Sequence, residues 1–266
     1  MKIHDLRKVF CDVSRADLNF LLCNLFHCNP AQLAQFKELS ESQISILYPW
    51  LERLRKGEPP QYIVQRAWFF GMVFYVDNRV LIPRYDTEVL VQALLQRLRG
   101  NEKVLEIGTG SAAISICLKK YFPDLVIHAT DIDPKALQVA AINCQRKGVD
   151  IQLIEADLFP DNEMQYNVIV SNPPYISAAE YIKLEPQVRD YEPRKALLAD
   201  DEGLSYYKKI LLRAQPYLAD RAILAFEHGA TQQQQILALT ESKGFKTLQK
   251  GKDLAMRDRF LILQKK

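Results

Sequence analysis

Val104-Leu105-Glu106-Ile107-Gly108-Thr109-Gly110-Ser111-Ala112 is a short apolar strand running into a glycine turn. Gly108 and Gly110 allow a tight turn and let backbone approach a ligand closely, while small Ala112 lets the next element pack against the strand. A helical spacing of apolar residues follows over 112–120. One such turn is weak evidence, but the same alternation repeats downstream. Strands are expected at 104–107, 126–129, 151–154, 168–170 and 222–226, each after a helix-like stretch such as 134–146. This is the βαβ rhythm of an α/β fold with a doubly wound parallel sheet. Residues 259–263 read as a late strand that an antiparallel pairing would suit.

Open α/β sheets bind ligands at the carboxyl ends of their strands. Asp131 ends the second strand, 21 residues after Gly110, where an acidic side chain can grip ribose hydroxyls. Asp157-Leu158 ends the third, placed to meet an adenine through an acceptor and an apolar contact. Together with Gly108, Thr109, Gly110, Ser111 and Ala112, these residues point to an adenosine-containing ligand. NAD is the obvious rival. The third small residue comes only two positions after Gly110, which is short for a dinucleotide fingerprint. That spacing favours S-adenosylmethionine, which has no pyrophosphate to cradle.

Asn172-Pro173-Pro174-Tyr175 follows the fourth strand. An amide or exocyclic amine nitrogen is a poor nucleophile because its lone pair is delocalised. The Asn172 side-chain oxygen and the Pro173 carbonyl can accept that nitrogen's two hydrogens and aim its lone pair at an electrophile, since proline fixes φ. Tyr175 offers a flat face for a planar group. An ordinary turn also uses Asn and Pro, so the motif needs the nucleotide site beside it. In the usual doubly wound order the fourth strand adjoins the first, which places Asn172 at the methyl-bearing sulfonium.

Residues 1–65 have a different rhythm. Ser14 can cap a helix carrying Leu18, Leu21, Leu22 and Leu25; Pro30 starts another; and Ser42 caps a third that Pro49 should bend or break. This part reads as a small helical bundle for substrate docking. Residues 66–84 read as a β-hairpin linker turning at Asp77-Asn78, and residues 85–266 as the catalytic domain.

The net charge of +3, from 35 basic and 32 acidic residues, gives no electrostatic footprint for a duplex. The start of the chain mixes His4, Asp5, Arg7 and Lys8 among apolar residues, unlike a secretory leader. Five cysteines without a CxxC pair read as buried free thiols rather than zinc ligands, which suits a reducing cytoplasm. The four glutamines at 232–235 read as a solvated helix face. His128 reads as a core histidine, and His228, at a strand end, as a weak site candidate. Arg84 and Glu88 could order the site's lid, meet the methionine end of the cofactor, or form an ion pair anchoring the hairpin.

The chain resembles the release factor glutamine methyltransferases, the PrmC/HemK family. The resemblance is carried by Phe69-x-Gly71-x-x-Phe74-x-Val76, Leu81-Ile82-Pro83-Arg84-x-Asp86-Thr87-Glu88 and Glu106-x-Gly108-Thr109-Gly110-Ser111. It continues through Asn172-Pro173-Pro174-Tyr175, Tyr191-Glu192-Pro193 and Asp253-Leu254-Ala255-x-Arg257-Asp258-Arg259. It implies a seven-stranded Rossmann-like class I S-adenosylmethionine-dependent methyltransferase domain behind the helical one. It also implies methyl transfer to the glutamine N5 of the Gly-Gly-Gln motif in class I peptide-chain release factors, yielding S-adenosylhomocysteine, by a monomer using no metal and no nucleic-acid target. By position, Gly108, Thr109, Gly110, Ser111, Ala112, Asp131, Asp157, Leu158 and Asn172 would contact the cofactor. Asn172, Pro173, Pro174 and Tyr175 would hold the substrate, with Asn172, Pro173 and Tyr175 catalytic.

Tyr85 stands where the family usually has Pro, Ala112 and Met256 where Gly is common, and Asp200-Asp201 where Gly-Gly is usual. The stretch 67–81 is also similar to the sister family that methylates a glutamine of a large-subunit ribosomal protein. Adenine-N6 DNA methyltransferases share the tetrapeptide, but would need a target-recognition domain and a basic channel.

Overall fold

The computed structural model describes residues 1–266, and the chain divides into two units: residues 1–66 with 185–191, and residues 67–184 with 192–266. The first unit is helical. α1 (Ile3–Val9), α2 (Arg15–Leu25), α3 (Glu41–Arg55) and α4 (Pro60–Val64) share one apolar cluster that includes Leu6, Leu21, Leu22, Leu47 and Leu51. Ser14 stands at the N-cap of α2 without a side-chain bond. α3 starts at a capping box, in which Ser40 accepts the Gln43 amide and Gln43 returns a bond to the Ser40 amide. The cap is therefore Ser40, not Ser42. Pro49 lies inside α3 without ending it, because Leu47, Leu51 and Leu54 bury one face of the helix and tertiary packing outweighs the lost hydrogen bond. The helix expected from Pro30 is a single 3-10 turn, Gln32–Gln35. Segment 185–191 belongs to this unit, where the Tyr191 hydroxyl donates to the Lys56 carbonyl at 2.6 Å.

The second unit opens with a hairpin of β1 (Ala67–Phe69) and β2 (Met72–Phe74), turning at Phe70 (φ 50°) and Gly71 (φ 73°). Two left-handed residues suit a tight hairpin turn. The expected turn at Asp77-Asn78 exists, but no strands flank it. There the Val80 amide donates to the Asp77 carbonyl at 3.1 Å, and the Asp77 carboxylate takes both the amide and the guanidinium of Arg79. That local closure keeps the segment out of a sheet.

Then follow α5 (Tyr85–Leu95), β3 (Lys103–Ile107), α6 (Ala113–Tyr121), β4 (Val126–Asp131), α7 (Pro134–Lys147), β5 (Gln152–Glu155) and β6 (Tyr166–Ser171). Short α8 (Ala178–Tyr181) and α9 (Pro186–Arg189), the latter within the first unit, precede α10 (Ser205–Arg213). The chain ends with β7 (Leu218–Glu227), α11 (Gln233–Glu241), β8 (Phe245–Lys252) and β9 (Asp258–Lys265). The seven-stranded sheet has the order β5-β4-β3-β6-β7-β9-β8, parallel except for β9, which is antiparallel to both neighbours.

The central strands are apolar on both faces because helices cover both. Val104, Val168, Val170, Ala225 and Ile262 pack with α5, α6 and α7 on one side. Leu105, Ile169, Leu224, Phe226, Leu261 and Leu263 pack with α10 and α11 on the other. Of the cysteines, Cys117 and Cys144 are buried and Cys23 and Cys28 half-buried, but Cys11 is exposed, so the buried-thiol reading fails there. No helix is long and apolar enough to cross a membrane.

Candidate active site

A cleft of about 330 Å³ opens where β3, β4, β5 and β6 end. The β3–α6 loop forms its floor. Gly108 (φ 70°) and Gly110 (φ 53°) are left-handed, and a methyl placed on either would meet no protein atom, because the space beside them is the cleft. Backbone can therefore approach a bound molecule closely there. Ala112 is also left-handed (φ 60°) although it carries a side chain; it is wholly buried and caps α6 from behind the cleft.

Hydrogen bonds fix this loop from several sides. The Thr109 amide donates to the Thr130 carbonyl at 2.9 Å, and the Gly110 amide to Asp131 Oδ2 at 2.9 Å. Asn143 Nδ2 donates to the Ser111 carbonyl at 3.0 Å, while its Oδ1 accepts the Tyr75 amide at 2.7 Å. Beneath the loop, Glu106 Oε2 accepts the Thr109 hydroxyl at 2.7 Å and the Ser115 amide at 3.1 Å. Burial pushes Glu106 up to about 7, against those two bonds.

Asp131 completes the wall beyond β4. Its second oxygen accepts the Asp133 amide at 2.9 Å, and burial raises its pKa against the amides of Asp133 and Gly110. Each oxygen still has a lone pair for a ligand hydroxyl. Asp133 caps α7 through the Lys135 amide and pairs with Lys195, which holds it low despite burial. β5 stops at Glu155, so Asp157-Leu158 lies in the turn beyond the strand rather than at its end. Leu158 has φ 70°, with the Phe159 amide bonded back to the Asp157 carbonyl and the Thr130 hydroxyl holding the Leu158 carbonyl at 2.7 Å. A left-handed leucine is strained, and such strain persists only where surroundings over-determine it.

Asn172 follows β6, whose Ser171 is paired with Ile107 in β3, and the Ser171 hydroxyl donates to the Ile107 carbonyl at 2.8 Å. Register therefore puts Asn172 opposite the glycine turn. Asn172 Nδ2 donates to Thr87 Oγ1 at 3.2 Å. Asn172, Pro173 and Pro174 line the cleft together with Gly108, Thr109, Gly110, Ser111, Asp131, Asp157 and Leu158. Tyr175 does not. Its ring packs with the apolar cluster under α10 and α11, and its hydroxyl points to Glu227 Oε1 at 3.4 Å. It supports the loop from behind, whereas the sequence suggested a flat wall.

Several site features were not foreseen. Gln232 and Gln233 are buried, and Gln232 Nε2 donates to the Tyr175 carbonyl at 2.9 Å while Oε1 accepts the Gly229 amide at 3.0 Å. Only Gln234 and Gln235 match the expected solvated face. Arg84 pairs with Glu192, which also accepts the Ile82 amide at 3.2 Å, and Glu88 accepts the Phe70 amide at 2.8 Å. Of the alternatives, an Arg84–Glu88 ion pair is absent, and the Glu of Tyr191-Glu192-Pro193 takes its place. His128 is the core histidine expected, bonded to the Tyr166 hydroxyl at 2.8 Å. His228 is fully buried beside the Gly229 carbonyl, and burial lowers its pKa.

Comparison with known proteins fits this geometry. The PrmC N-terminal domain model matches residues 4–64, and the methyltransferase small domain model residues 85–185. A release factor glutamine methyltransferase of Fusobacterium nucleatum is 36% identical over an alignment of 266 positions that covers 98% of this chain and 73% of that protein. One of Thermodesulfovibrio yellowstonii is 32% identical, over 92% of this chain and 90% of that protein. The chain belongs to the release factor glutamine methyltransferase family. One of Geobacter sulfurreducens is 38% identical over 79% of this chain and 74% of that protein. Among solved structures, a methyltransferase from Pyrococcus furiosus aligns with a TM-score of 0.58 at 20% identity, covering 85% of this chain and 99% of that one. A ribosomal protein L11 methylase from Lactobacillus delbrueckii aligns with a TM-score of 0.54 at 19% identity, covering 72% and 84%. These two likenesses show the Rossmann-like methyltransferase fold. A family methyltransferase must hold a methyl donor and a glutamine, and the open space over Gly108 and Gly110, with the lone pairs of Asp131, fits the adenosyl part of S-adenosylmethionine.

Proposed function

We propose that the protein transfers a methyl group from S-adenosyl-L-methionine to N5 of the glutamine side chain in the Gly-Gly-Gln motif of class I peptide-chain release factors. The observation that carries the reading is Asn172. Its Nδ2 is committed to Thr87, leaving Oδ1 to accept a hydrogen of the substrate amide at the cleft wall opposite the glycine turn. The Pro173 carbonyl takes the second hydrogen. With both hydrogens held, the nitrogen's lone pair is freed from its π-system and aimed at the methyl group.

S-adenosylmethionine, when bound, supplies an electrophilic methyl group on its sulfonium and leaves as S-adenosylhomocysteine, while the methylated nitrogen, now acidic, gives up one of its hydrogens to water, so no strong base and no covalent intermediate are needed. The chain's own residues bind and orient. Gly108, Thr109, Gly110, Ser111 and Ala112 form the loop that accommodates the donor. Asp131 accepts ribose hydroxyls, and Asp157 and Leu158 meet the adenine. Catalysis is then mainly positioning and exclusion of water. His228 lies outside the cleft lining with its Nδ1 against the Gly229 carbonyl, so it has no part in this reading.

The names of the relatives favour release factors over a ribosomal-protein glutamine, and the charge balance disfavours DNA. Incubation with tritiated S-adenosylmethionine and, separately, a class I release factor, large-subunit ribosomal proteins or DNA decides among them. Label on the release factor, lost when its motif glutamine is replaced by alanine, is expected. Label on only one of the other two would overturn the assignment.

A further inference from the structure

We propose that residues 192–199 form a strap across the methyl donor, and that Lys195 is a positioning residue whose ion pair with Asp133 latches it. The inference rests on the cleft taking S-adenosylmethionine. Three ties hold the segment. At its start Glu192, its side chain 1% exposed, pairs with Arg84 and accepts the Ile82 amide at 3.2 Å. In the middle Lys195 pairs with Asp133. At its end Leu198 bridges to Ile176, just past the tetrapeptide. There the Ile176 amide donates to the Leu197 carbonyl at 3.0 Å, and the Ala199 amide to the Ile176 carbonyl at 2.9 Å.

Sheet order turns these ties into a crossing. Asp133 follows β4, Ile176 follows β6, and β3 lies between those two strands. The run from Lys195 to Leu198 therefore spans the carboxyl end of β3, where the glycine turn stands. The gap is two interstrand spacings, about 10 Å, which three residues and a lysine side chain can reach across. Asp133, Pro193, Lys195 and Ala196 all line the cleft.

The ties also close a ring. It runs from the Gly110 amide through Asp131 to Asp133, and over the ion pair to Lys195. It then follows the strap to Ile176, returns through the tetrapeptide to Ser171, and ends where the Ser171 hydroxyl meets the Ile107 carbonyl beside Gly108. Each join in the ring has backbone on at least one side, except the ion pair. That pair joins two side chains, and the Lys195 side chain is 54% exposed. Water and salt compete for it, so it is the join that opens most easily. A donor seated on the glycine turn is enclosed while the pair holds and leaves when it parts.

The test follows binding rather than turnover. Surface plasmon resonance measures dissociation of S-adenosylmethionine and S-adenosylhomocysteine at about 0.05 and 0.5 M NaCl, where screening differs several-fold. The proteins are wild type, Lys195→Met, Lys195→Arg, Asp133→Asn and the double variant Lys195→Met/Asp133→Asn. Asparagine at 133 keeps the oxygen that accepts the Lys135 amide and caps α7. Each charge-removing single variant should release ligand about fivefold faster, and the double variant no faster than either. Lys195→Arg should stay near the wild-type rate. High salt should quicken wild-type release about threefold and leave Lys195→Met unchanged. Wild-type release rates in Lys195→Met, or additive effects in the double variant, would overturn the proposal. If Asp133→Asn lowers the melting temperature, the two Lys195 variants and their salt dependence decide alone. A wild type that binds neither ligand would sink the donor reading itself, and the strap with it.

Discussion

The Gly110 amide donates to the Asp131 carboxylate at 2.9 Å, binding the glycine turn after β3 to the end of β4. The same carboxylate also accepts the Asp133 amide, so one side chain shapes both walls of the cleft where a ribose would lie. Asp131→Ala removes a charge-assisted bond to the loop together with the acceptor for ligand hydroxyls. Cofactor Kd should rise about 10- to 100-fold, equivalent to one or two such bonds. Calorimetry with S-adenosylmethionine checks this, and an unchanged Kd would remove Asp131 from the ribose role.

Glu106 gives the fold a pH dependence. Its folded pKa, about 7, lies above the ordinary carboxyl value of 4.5 because the buried site disfavours charge. The folded state therefore binds the proton more tightly than the unfolded chain. The resulting stability is complete below pH 4.5 and is lost as pH rises through about 7, roughly 3 kcal/mol in all. Glu106→Gln keeps the shape and cannot ionise. Its melting temperature should fall less than that of wild type between pH 5 and pH 8; parallel falls would show that Glu106 titrates normally.

The departures from the family pattern make structural sense at particular positions. Ala112, Asp201 and Met256 all have positive φ, at 60°, 60° and 63°, where glycine carries no side-chain penalty. Tyr85 is the first residue of α5, a position where proline is favoured because its missing N–H would have no helical partner. Met256 is 71% exposed, so replacing it removes little packing. Met256→Gly should relieve about 1–2 kcal/mol of left-handed strain, less about 0.5–1 for glycine's freedom in the unfolded chain. A gain of about 2 °C in melting temperature is expected; a loss would mean that the side chain packs.

That contrast shows what the sequence can carry. The central strands were legible because both their faces are buried, which leaves continuous apolar runs. β8 was not, since it is an edge strand whose residues are mostly exposed. The tetrapeptide and the glycine turn were legible as local motifs. Their supports were not, because they come from distant positions: Thr87 is 85 residues from Asn172, and Glu227 is 52 from Tyr175.

Gln232 is the clearest of those hidden supports. It bonds the Tyr175 carbonyl at 2.9 Å and the Gly229 amide at 3.0 Å, while a Cβ at Gly203 would lie 2.2 Å from the same carbonyl. Gln232→Ala leaves that carbonyl short of a donor, at a cost of about 1–3 kcal/mol. The tetrapeptide loop should loosen and kcat should fall about tenfold with cofactor Kd unchanged. Gln234→Ala, on the exposed side of α11, should leave kcat unaltered. Equal effects from the two would show that the glutamines act only through the helix.

Asn172→Ala tests the mechanism itself. Removing the side chain deletes the acceptor for one substrate hydrogen but leaves the glycine turn, Asp131 and the Leu158 turn intact, so cofactor binding should persist. Methylation should drop by at least about 100-fold, in line with loss of a group that positions a reacting atom. Asn172→Asp separates positioning from charge, because it keeps an acceptor oxygen but cannot donate to Thr87. Thr87 can then donate to the new carboxylate, so activity should lie between those of wild type and Asn172→Ala. Calorimetry and single-turnover methylation check this. Equal loss of cofactor affinity and methylation in Asn172→Ala would show that Asn172 serves the cofactor rather than the amide.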